Sequence, residues 1–505
     1  MALMPWPHND PWPCPGRLPG NPAVAPKFCT GCCRGFPPVR SEFLLPGGAD
    51  LLKVQQSLLR GIRISLRTML VVLFTFGTMS QLYTWWKLPF NAVVFAVLLS
   101  VMLPRAFTRA RRSELPITII AFAIGTAAAI GCGMLIANDN GWFYLGIVLF
   151  AAGVSAPIWV RRFGNTWKIS GVLAGLPFMV ILVHPLPLEQ SSQFFVWELL
   201  AAAVALMWAV IMRILANRSD QPQLEPPATA KASRRLASST KMALQLGAAT
   251  VAAFGCAKLL DAEHLVWPVL TVLIVHSGNR GRGDVLWKGA QRTVGALVGV
   301  TITTLAISIS NLPLKNSMII VAIFVLLFIA TTLRELGYFY WAVCITAALA
   351  LLYSFSGQTG TELTAYLIKR LLGITSGSII GIASAYFLLP IRTTEVVRLR
   401  LSALLAAAND AAIAYAQGHA DQTTLEKLTA ADQALSHFDS VTKAARYLGI
   451  GDARRLYGAI MNAHALVKEL LDNTAPKDSA EFAALARQIG IARRQLTQNN
   501  LNYLI

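Results

Sequence analysis

Two ionisable residues lie at equivalent places inside long apolar segments of this chain. Glu198 and Arg370 each fall about one turn inside the sixth segment of a set of six. A charge at that depth costs several kcal/mol unless it is paired or hydrated, so both residues are candidates for function. One interpretation is an ion pair lining a cavity, with Arg370 binding a substrate carboxylate and Glu198 competing for it or carrying a proton. The other is that both side chains snorkel to the membrane surface.

Further ionisable residues lie near the ends of apolar segments. Arg292 begins the ninth segment, where it could attract anions or anchor the helix at lipid phosphates. Asp284 and Lys288 precede it at i, i+4 spacing, which favours a local ion pair over a gate, although Asp284 stays a candidate for proton coupling. His276 and His184 are also candidates for proton coupling because histidine titrates near neutral pH. A lone histidine at a helix end is more often structural.

Motifs of soluble enzymes are missing from the sequence. It contains no G-x-S-x-G, no G-x-x-x-x-G-K phosphate loop, no H-E-x-x-H and no dinucleotide-binding glycine pattern after a strand. Cys29-x-x-Cys32 is half of a zinc knuckle, but no second pair follows at zinc-site spacing. We therefore predict no catalytic residue, no cofactor and no metal site.

Composition indicates a membrane solvent for the elements that carry these residues. Of the 505 residues, 55% are apolar and only 14% are charged, whereas soluble domains have about 25% charged residues. The mean hydropathy is +0.54. The formal net charge of +19 would suggest nucleic acid in a soluble protein. Here most basic residues flank apolar segments, so the charge indicates contact with anionic lipid and excludes a nucleic-acid partner.

Twelve apolar segments are long enough to predict membrane-spanning helices. The predicted segments are 66–84, 88–103, 116–137, 142–158, 167–184, 194–214, 242–260, 264–279, 290–310, 316–333, 338–355 and 367–389. Basic residues such as Arg105, Arg161, Arg234, Arg282 and Arg334 concentrate in alternate loops. The positive-inside rule then predicts that both termini are cytoplasmic.

The chain divides into five predicted regions. Residues 1–55 read as a disordered or mis-started leader, rich in proline and without a secretory signal. Residues 56–216 and 242–391 form two six-helix membrane halves, joined by a cytoplasmic linker at 217–241. Residues 392–505 contain amphipathic segments at 394–417, 422–448, 452–473 and 478–499. They predict a small cytoplasmic helical bundle, so the fold class is an all-α polytopic membrane protein.

Repeated motifs indicate internal symmetry. The two halves resemble each other at an offset of about 175 residues. Within the second half, the segment from Trp267 leads to Arg292-x-x-Gly295-x-x-x-Gly299, and the segment from Trp341 leads to Arg370-x-x-Gly373-x-x-x-Gly377. Three helices separate these copies, so they must lie inverted in the membrane, as is typical of transporters. Trp267 and Trp341 would favour aromatic substrates, although both suit an interfacial aromatic belt equally well.

These motifs resemble the fusaric acid resistance family, which includes the aromatic acid exporters. The resemblance covers about residues 55–400 and rests on Trp267-Pro-Val-Leu-Thr271, the basic loop from Arg280 to Lys288, the two Arg-x-x-Gly helix starts and Leu389-Pro390. It implies a bacterial inner-membrane exporter of small organic acids. Such an exporter would be driven by the proton gradient and would work with a periplasmic adaptor and an outer-membrane channel.

The sequence departs from this family in two respects. Many of its exporters carry a large cytoplasmic domain after each half, whereas here only the linker follows the first half. The first half also lacks an Arg-x-x-Gly pattern before Gly125. We therefore predict efflux of a small aromatic or hydrophobic carboxylic acid, with two alternatives: a passive anion channel, or a membrane scaffold that recruits a partner through the C-terminal helices.

Overall fold

The computed structural model describes most of the chain outside the leader and the linker. The described residues are 48–107, 110, 112–137, 141–183, 192–215, 237–260, 266–279, 281–310, 316–355, 360–417, 421–447, 453–472, 482–487 and 489–490. Residues 1–47 of the predicted leader, most of the linker and His184 therefore lie outside the described residues. Residues 54–505 form one compact unit, and the described residues before it, 48–53, begin the first helix.

The described residues form an all-helical protein, as the sequence predicts. The helices of the apolar region are α1 Gly48–Trp86, α2 Phe90–Phe107, α3 Leu115–Ile136, α4 Trp142–Val160, α5 Asn165–Val183, α6 Ser192–Leu215, α7 Ser238–Leu260, α8 Val266–His276, α9 Arg282–Ser310, α10 Asn316–Leu333, α11 Tyr338–Phe355 and α12 Gly360–Phe387. Four more follow: α13 Thr393–Ala416, α14 Gln422–Ser436, α15 Asp439–Tyr447 and α16 Ala453–Asp472. Each of the twelve predicted segments overlaps one of α1–α12, although α1, α9 and α12 begin well before the predicted starts.

Nine of the described helices, α1 to α7, α11 and α12, are long and apolar enough to cross a membrane. α8 and α10 are apolar but shorter in their described parts. α9 carries Arg282, Asp284, Lys288 and Arg292 in its first three turns, which lowers its hydropathy. The chain is thus a multi-pass membrane protein, and the count of twelve spans stays a prediction.

The first helix of each predicted half packs against the fourth helix of the other. α1 meets α10, where the hydroxyls of Ser65 and Thr332 lie 2.8 Å apart. An added Cβ on Gly61 would lie 2.5 Å from the carbonyl oxygen of Thr332, so only glycine allows this approach. α7 meets α4 in the same way, with the Cβ position of Gly247 2.9 Å from the Ser155 hydroxyl. The two sets of six helices are thus joined by exchanged contacts.

The C-terminal helices share one hydrophobic cluster, which includes Leu404 of α13, Leu428 and Leu435 of α14, and Ile460 of α16. The predicted helix over 422–448 is wrong in one respect, because the chain turns at His437 between α14 and α15. This turn directs Phe438 into the cluster, where it is buried.

The C-terminal helices contact the helical membrane part at the start of α9. The amide of Arg282 donates to the carbonyl oxygen of Ile391 (3.0 Å), and the amide of Gly283 donates to the Thr393 hydroxyl (2.9 Å). On α7, the Gln245 side-chain amide donates to the carbonyl oxygens of Leu388 (2.7 Å) and Leu389 (3.1 Å), just after α12. These bonds place the end of α12 beside the start of α9.

Candidate functional site

Arg370 is a fully buried arginine in the middle of α12. Its guanidinium carbon lies 4.1 Å from the centre of the Trp267 ring on α8, and the side chain is 1% exposed. Among the described residues, Nε and Nη1 of Arg370 have no hydrogen-bond partner. A buried guanidinium with open donors has lost its hydration without full replacement, which is costly unless another group supplies acceptors.

Arg292 is a second buried arginine, in the third turn of α9. Its Nε donates to the hydroxyl of Thr271 on α8 (3.3 Å), and its Nη1 donates to the hydroxyl of Tyr338 on α11 (3.2 Å). The side chain is 5% exposed. Both partners are neutral hydroxyls, so these bonds leave the charge of Arg292 uncompensated.

Both arginines contact α8: Arg370 stacks on Trp267, and Arg292 donates to Thr271, one helical turn further along. Arg292 is close enough to Arg370 for the two charges to repel each other. In the part of the chain that the structure describes, no carboxylate forms an ion pair with either guanidinium. Two like charges in one apolar region attract an anion strongly, because their fields add and little water screens them. The arrangement is therefore a candidate anion-binding site.

Two glycine motifs hold the four helices of this site together by matching contacts. On α12, the Cβ position of Gly373 lies 2.8 Å from Cβ of Trp267, and that of Gly377 lies 2.9 Å from Cβ of Thr271. On α9, the Cβ position of Gly295 lies 2.7 Å from Cβ of Ala342, and that of Gly299 lies 2.9 Å from Cβ of Thr346. α12 therefore packs on α8 as α9 packs on α11, which supports the predicted repeat.

Trp341, the other predicted substrate-binding aromatic residue, lies in a different environment from Trp267. It belongs to a hydrophobic cluster with Met69 and Val72 of α1 and Leu327 of α10. Its ring faces the guanidinium of Arg334, 4.7 Å away, at the end of α10. The structure thus brings Arg370, Arg292 and Trp267 together around α8 and places Trp341 at the contact between α1, α10 and α11.

Glu198 is a fully buried carboxyl group on α6. No hydrogen bond or ion pair of the described residues joins it to Arg370, whose ring partner is Trp267. The structure therefore does not bring together the pair that the equivalent sequence positions suggest, because α12 packs against α7, α8 and α9 rather than α6. A buried carboxyl group remains suited to carrying a proton.

His276 links α8 to α12. Its Nδ1 lies 3.1 Å from the carbonyl oxygen of Val272, and its Nε2 lies 3.1 Å from the hydroxyl of Ser384. A carbonyl oxygen only accepts, so Nδ1 donates, while the single proton of the Ser384 hydroxyl is shared between Nε2 and the carbonyl oxygen of Gly381, 2.9 Å away. Both nitrogens of a neutral imidazole are thus occupied, and this arrangement is typical of a structural histidine.

Asp284 forms the expected local ion pair at the start of α9. Nζ of Lys288 donates to its carboxylate (2.9 Å) and to the carbonyl oxygen of Ser277 (3.0 Å). Asp284 is eight residues before Arg292, so about 12 Å of helix separates them. It lies at the end of the site rather than beside the arginines.

Three tyrosines and a threonine around the arginines were not predicted from the sequence. Tyr338 and Thr271 accept hydrogen bonds from Arg292. Tyr353 and Tyr366 lie close enough to Arg370 to interact with its charge. Thr271 belongs to the repeated motif, and that repetition is the one signal that could have identified it. Tyrosines near the ends of apolar segments are common in every membrane protein, so their types gave no signal.

Comparison with known proteins gives one match. Residues 249–388 match the family described as fusaric acid resistance protein-like. No curated protein and no solved structure matches the chain. The matched stretch runs from within α7 to the residue after α12, and so includes both arginines and their contacts on α8. The resemblance predicted from the motifs is thereby confirmed: over residues 249–388 this membrane protein is similar to the fusaric acid resistance proteins.

Proposed function

We propose that this protein is an efflux transporter that exports small organic acids, aromatic or hydrophobic carboxylic acids, across the bacterial inner membrane. The family match supports membrane transport in general rather than catalysis. The observation that carries the proposal is the pair of buried arginines that contact α8, for which the described residues supply no carboxylate. A substrate anion would supply the missing charge.

The surroundings of the site favour an anion with an apolar body. A carboxylate can accept two parallel hydrogen bonds from a guanidinium fork, and Nε and Nη1 of Arg370 are open for such acceptors. Trp267 forms one face of the site, and Tyr353 and Tyr366 lie nearby. A hydrophobic acid would bury its apolar part against these rings and gain free energy from doing so. An inorganic anion has no apolar part and would gain nothing from the rings.

The transport cycle that we propose includes proton coupling, with Glu198 as the leading proton carrier. A carboxyl group buried in the first set of six helices is neutral while it holds a proton and becomes negatively charged when it releases it, so it can take up a proton and pass it on. His276 and Asp284 are further candidates, and each has local hydrogen-bond partners. His184 keeps its predicted role as an alternative carrier.

The membrane arrangement that we propose has twelve spans in two six-helix repeats, with both termini and the C-terminal helices in the cytoplasm. The exchanged contacts of α1 with α10 and of α7 with α4 support two related halves. A periplasmic adaptor and an outer-membrane channel are proposed partners, in addition to the lipid bilayer and the small organic anion.

The test is the accumulation of radiolabelled aromatic acids in cells that lack their own exporters. Cells with the protein should accumulate less acid, and collapse of the proton gradient should restore accumulation. Arg370→Gln should abolish this difference, because glutamine is neutral and cannot donate two parallel hydrogen bonds to a carboxylate. Arg162→Gln is the matched control, since Arg162 also stacks on a tryptophan, 3.8 Å above Trp159, but lies outside the site.

The two alternatives give different results in the same assay. A passive anion channel would require the arginines but would let the acid equilibrate, so Glu198→Gln would leave flux unaltered. A scaffold would show no flux of any acid, while truncation at Thr393 would abolish its function and leave membrane insertion intact. Equal accumulation with and without the protein in the membrane would reject export of this substrate class.

A further inference from the structure

An aromatic contact lies next to Arg370, toward the α11–α12 loop. The ring of Tyr353, near the end of α11, meets the ring of Tyr366 on α12, with centroids 4.4 Å apart and planes at 64°. Tyr366 precedes Arg370 by four residues, so it lies about 6 Å nearer to that loop. The two tyrosines therefore join α11 to α12 between Arg370 and that end of the molecule.

A polar contact lies next to Arg292, toward the α8–α9 loop. Nζ of Lys288 on α9 reaches the carbonyl oxygen of Ser277, the residue after α8, at 3.0 Å. Lys288 precedes Arg292 by four residues, again about 6 Å nearer to the loop. Lys288 therefore joins α8 to α9 between Arg292 and its end of the molecule.

The two contacts occupy matching positions in the repeated helix pairs. Alignment of Arg370 with Arg292 places Tyr366 on Lys288. Gly377 contacts Thr271 of α8, and Gly299 contacts Thr346 of α11, so these two threonines are equivalent. With the threonines aligned, Tyr353 falls within one residue of the position of Ser277. The lysine contact thus joins α8 to α9, and the tyrosine contact joins α11 to α12. Each lies one helical turn from the arginine of its own pair, on the side of the loop.

The two contacts also lie at opposite ends of the site. α12 begins at the α11–α12 loop, and its other end lies beside the start of α9, because the amide of Arg282 donates to Ile391. The tyrosine contact is near the beginning of α12, and the lysine contact is near the beginning of α9. Both contacts are formed here, and both arginines are buried.

We propose that Tyr353 and Tyr366 form one gate of the anion site and that Lys288 with Ser277 forms the opposite gate. This inference rests on the proposed transport function, because it assigns the two entrances of the same site. Opening either helix pair exposes the nearer arginine to one side of the membrane, while the other contact keeps the far side closed. The present structure is the state in which both gates are closed.

The two gates differ in chemistry. Lys288 lies at the α8–α9 entrance, predicted to face the cytoplasm, and its charge is balanced by Asp284, so Arg292 behind it is the charge that attracts an anion. Tyr353 and Tyr366 are neutral aromatic groups at the other entrance, where an apolar acid can slide past rings that offer no charge to hold it. An anion therefore enters past the lysine gate toward Arg292 and leaves past the tyrosine gate, and the coupled proton gradient sets the net direction.

The experiment measures the reaction of buried reporter cysteines with a charged, membrane-impermeant maleimide. The full chain has its native cysteines replaced by alanine, and the reagent is added to spheroplasts or to inverted membrane vesicles. Ala350→Cys reports on the tyrosine gate, because Ala350 is 0% exposed and clusters with Tyr353. Ala296→Cys reports on the lysine gate, since Ala296 is 1% exposed and lies one turn beyond Arg292.

The gates predict side-specific labelling. Tyr353→Ala with Tyr366→Ala should label the Ala350→Cys reporter about tenfold faster from one side only, as expected for loss of an aromatic pair. Lys288→Ala should accelerate labelling of the Ala296→Cys reporter from the opposite side. Tyr340→Ala is the matched control, because Tyr340 also packs edge-on against a neighbouring ring, Phe339, but is 45% exposed.

Unchanged labelling rates in the gate variants, with the proteins eluting as single folded species, would overturn the proposal. Acceleration from both sides alike would do the same, because it indicates general loosening. Tyr353→Phe keeps the ring contact and removes only the hydrogen bond with Tyr366, so it should label more slowly than the double variant; labelling as fast as in Tyr353→Ala would contradict a gate made by the rings. Labelling needs no transport, so side-specific acceleration combined with unaltered export in Arg370→Gln would support the gates and reject the proposed substrate site.

Discussion

The guanidinium of Arg370 stacks on the indole of Trp267, and this contact joins the middle of α12 to the start of α8. Two kinds of stabilisation meet there: the ring face attracts the cation, and the large ring excludes water from it. Because the charge is buried, the stacking interaction should be stronger than the same contact at a surface.

Trp267→Leu should therefore lower the stability of the protein by about 2 kcal/mol from the lost stacking interaction alone, and Trp267→Phe by less. The measurement is thermal unfolding in detergent. Trp159→Leu removes a similar contact with Arg162 at an exposed position, so its effect should stay below about 1 kcal/mol. Equal shifts in the two leucine variants would contradict a special role for the buried contact.

Gly377→Ala should separate α8 from α12. An added Cβ would lie 2.4 Å from the carbonyl oxygen of Pro268, so the helices must move apart and Arg370 loses its place over Trp267. We expect a lower melting temperature and weaker export. At Gly255 of α7 an added Cβ meets nothing within 4 Å, so Gly255→Ala should leave stability unchanged or raise it by up to about 1 kcal/mol. Tolerance of alanine at both positions would count against close packing of α8 on α12.

Gln245→Leu should loosen the connection between α12 and the C-terminal helices. The substitution removes two half-buried hydrogen bonds and leaves the carbonyls of Leu388 and Leu389 without their donor, at a cost of about 1 kcal/mol. Limited proteolysis after residue 388 should become faster. Gln433→Leu, at an exposed position of α14, provides the comparison, and equally fast cleavage in both variants would argue against this anchor.

His464 predicts a pH dependence of the C-terminal helices. Its Nδ1 and Nε2 face the carboxylates of Asp432 (2.5 Å) and Asp439 (3.2 Å), and these hydrogen bonds raise the pKa of His464 from 6.5 to about 9. A raised pKa means that the folded state binds the proton more tightly. The stabilisation is therefore complete below pH 6.5 and is lost as the pH rises through 9.

The measurement is the difference in melting temperature between the parent and His464→Gln across pH 6 to 10. The difference should be largest at the acidic end and should vanish above pH 9. Taking the difference removes the contributions of lysines and tyrosines that titrate in the same range. A difference that grows with pH would show that the histidine is not held protonated by the two aspartates.

The sequence allowed the helices and the charged part of the site to be predicted, because both follow from local chemistry. A charge within an apolar segment marks Arg370 whatever surrounds it, and glycine spacing marks the faces that pack. Which helices pack against each other could not be predicted in this way, because packing depends on the positions of all the helices together. Glu198 and Arg370 occupy equivalent sequence positions but not neighbouring places.

Neutral residues of the site were the hardest to predict. Tyr353 and Tyr366 lie near the ends of apolar segments, where a tyrosine is expected at any interface. Only the packing of α11 on α12 shows that their rings meet. Trp341 shows the reverse: its motif matches that of Trp267, yet the exchanged position of α1 covers it.

The contact between Ser65 and Thr332 spans 267 residues of chain. Helix α1 enters the membrane early in synthesis, whereas its partner α10 is made only after most of the protein has been inserted. Until then the face of α1 with Gly61 and Ser65 is exposed to lipid or to the insertion machinery. The reciprocal contact of α7 with α4 can form as soon as α7 is made. Assembly is therefore asymmetric in time although the two contacts are reciprocal, and α1 is left longer than α7 without its partner.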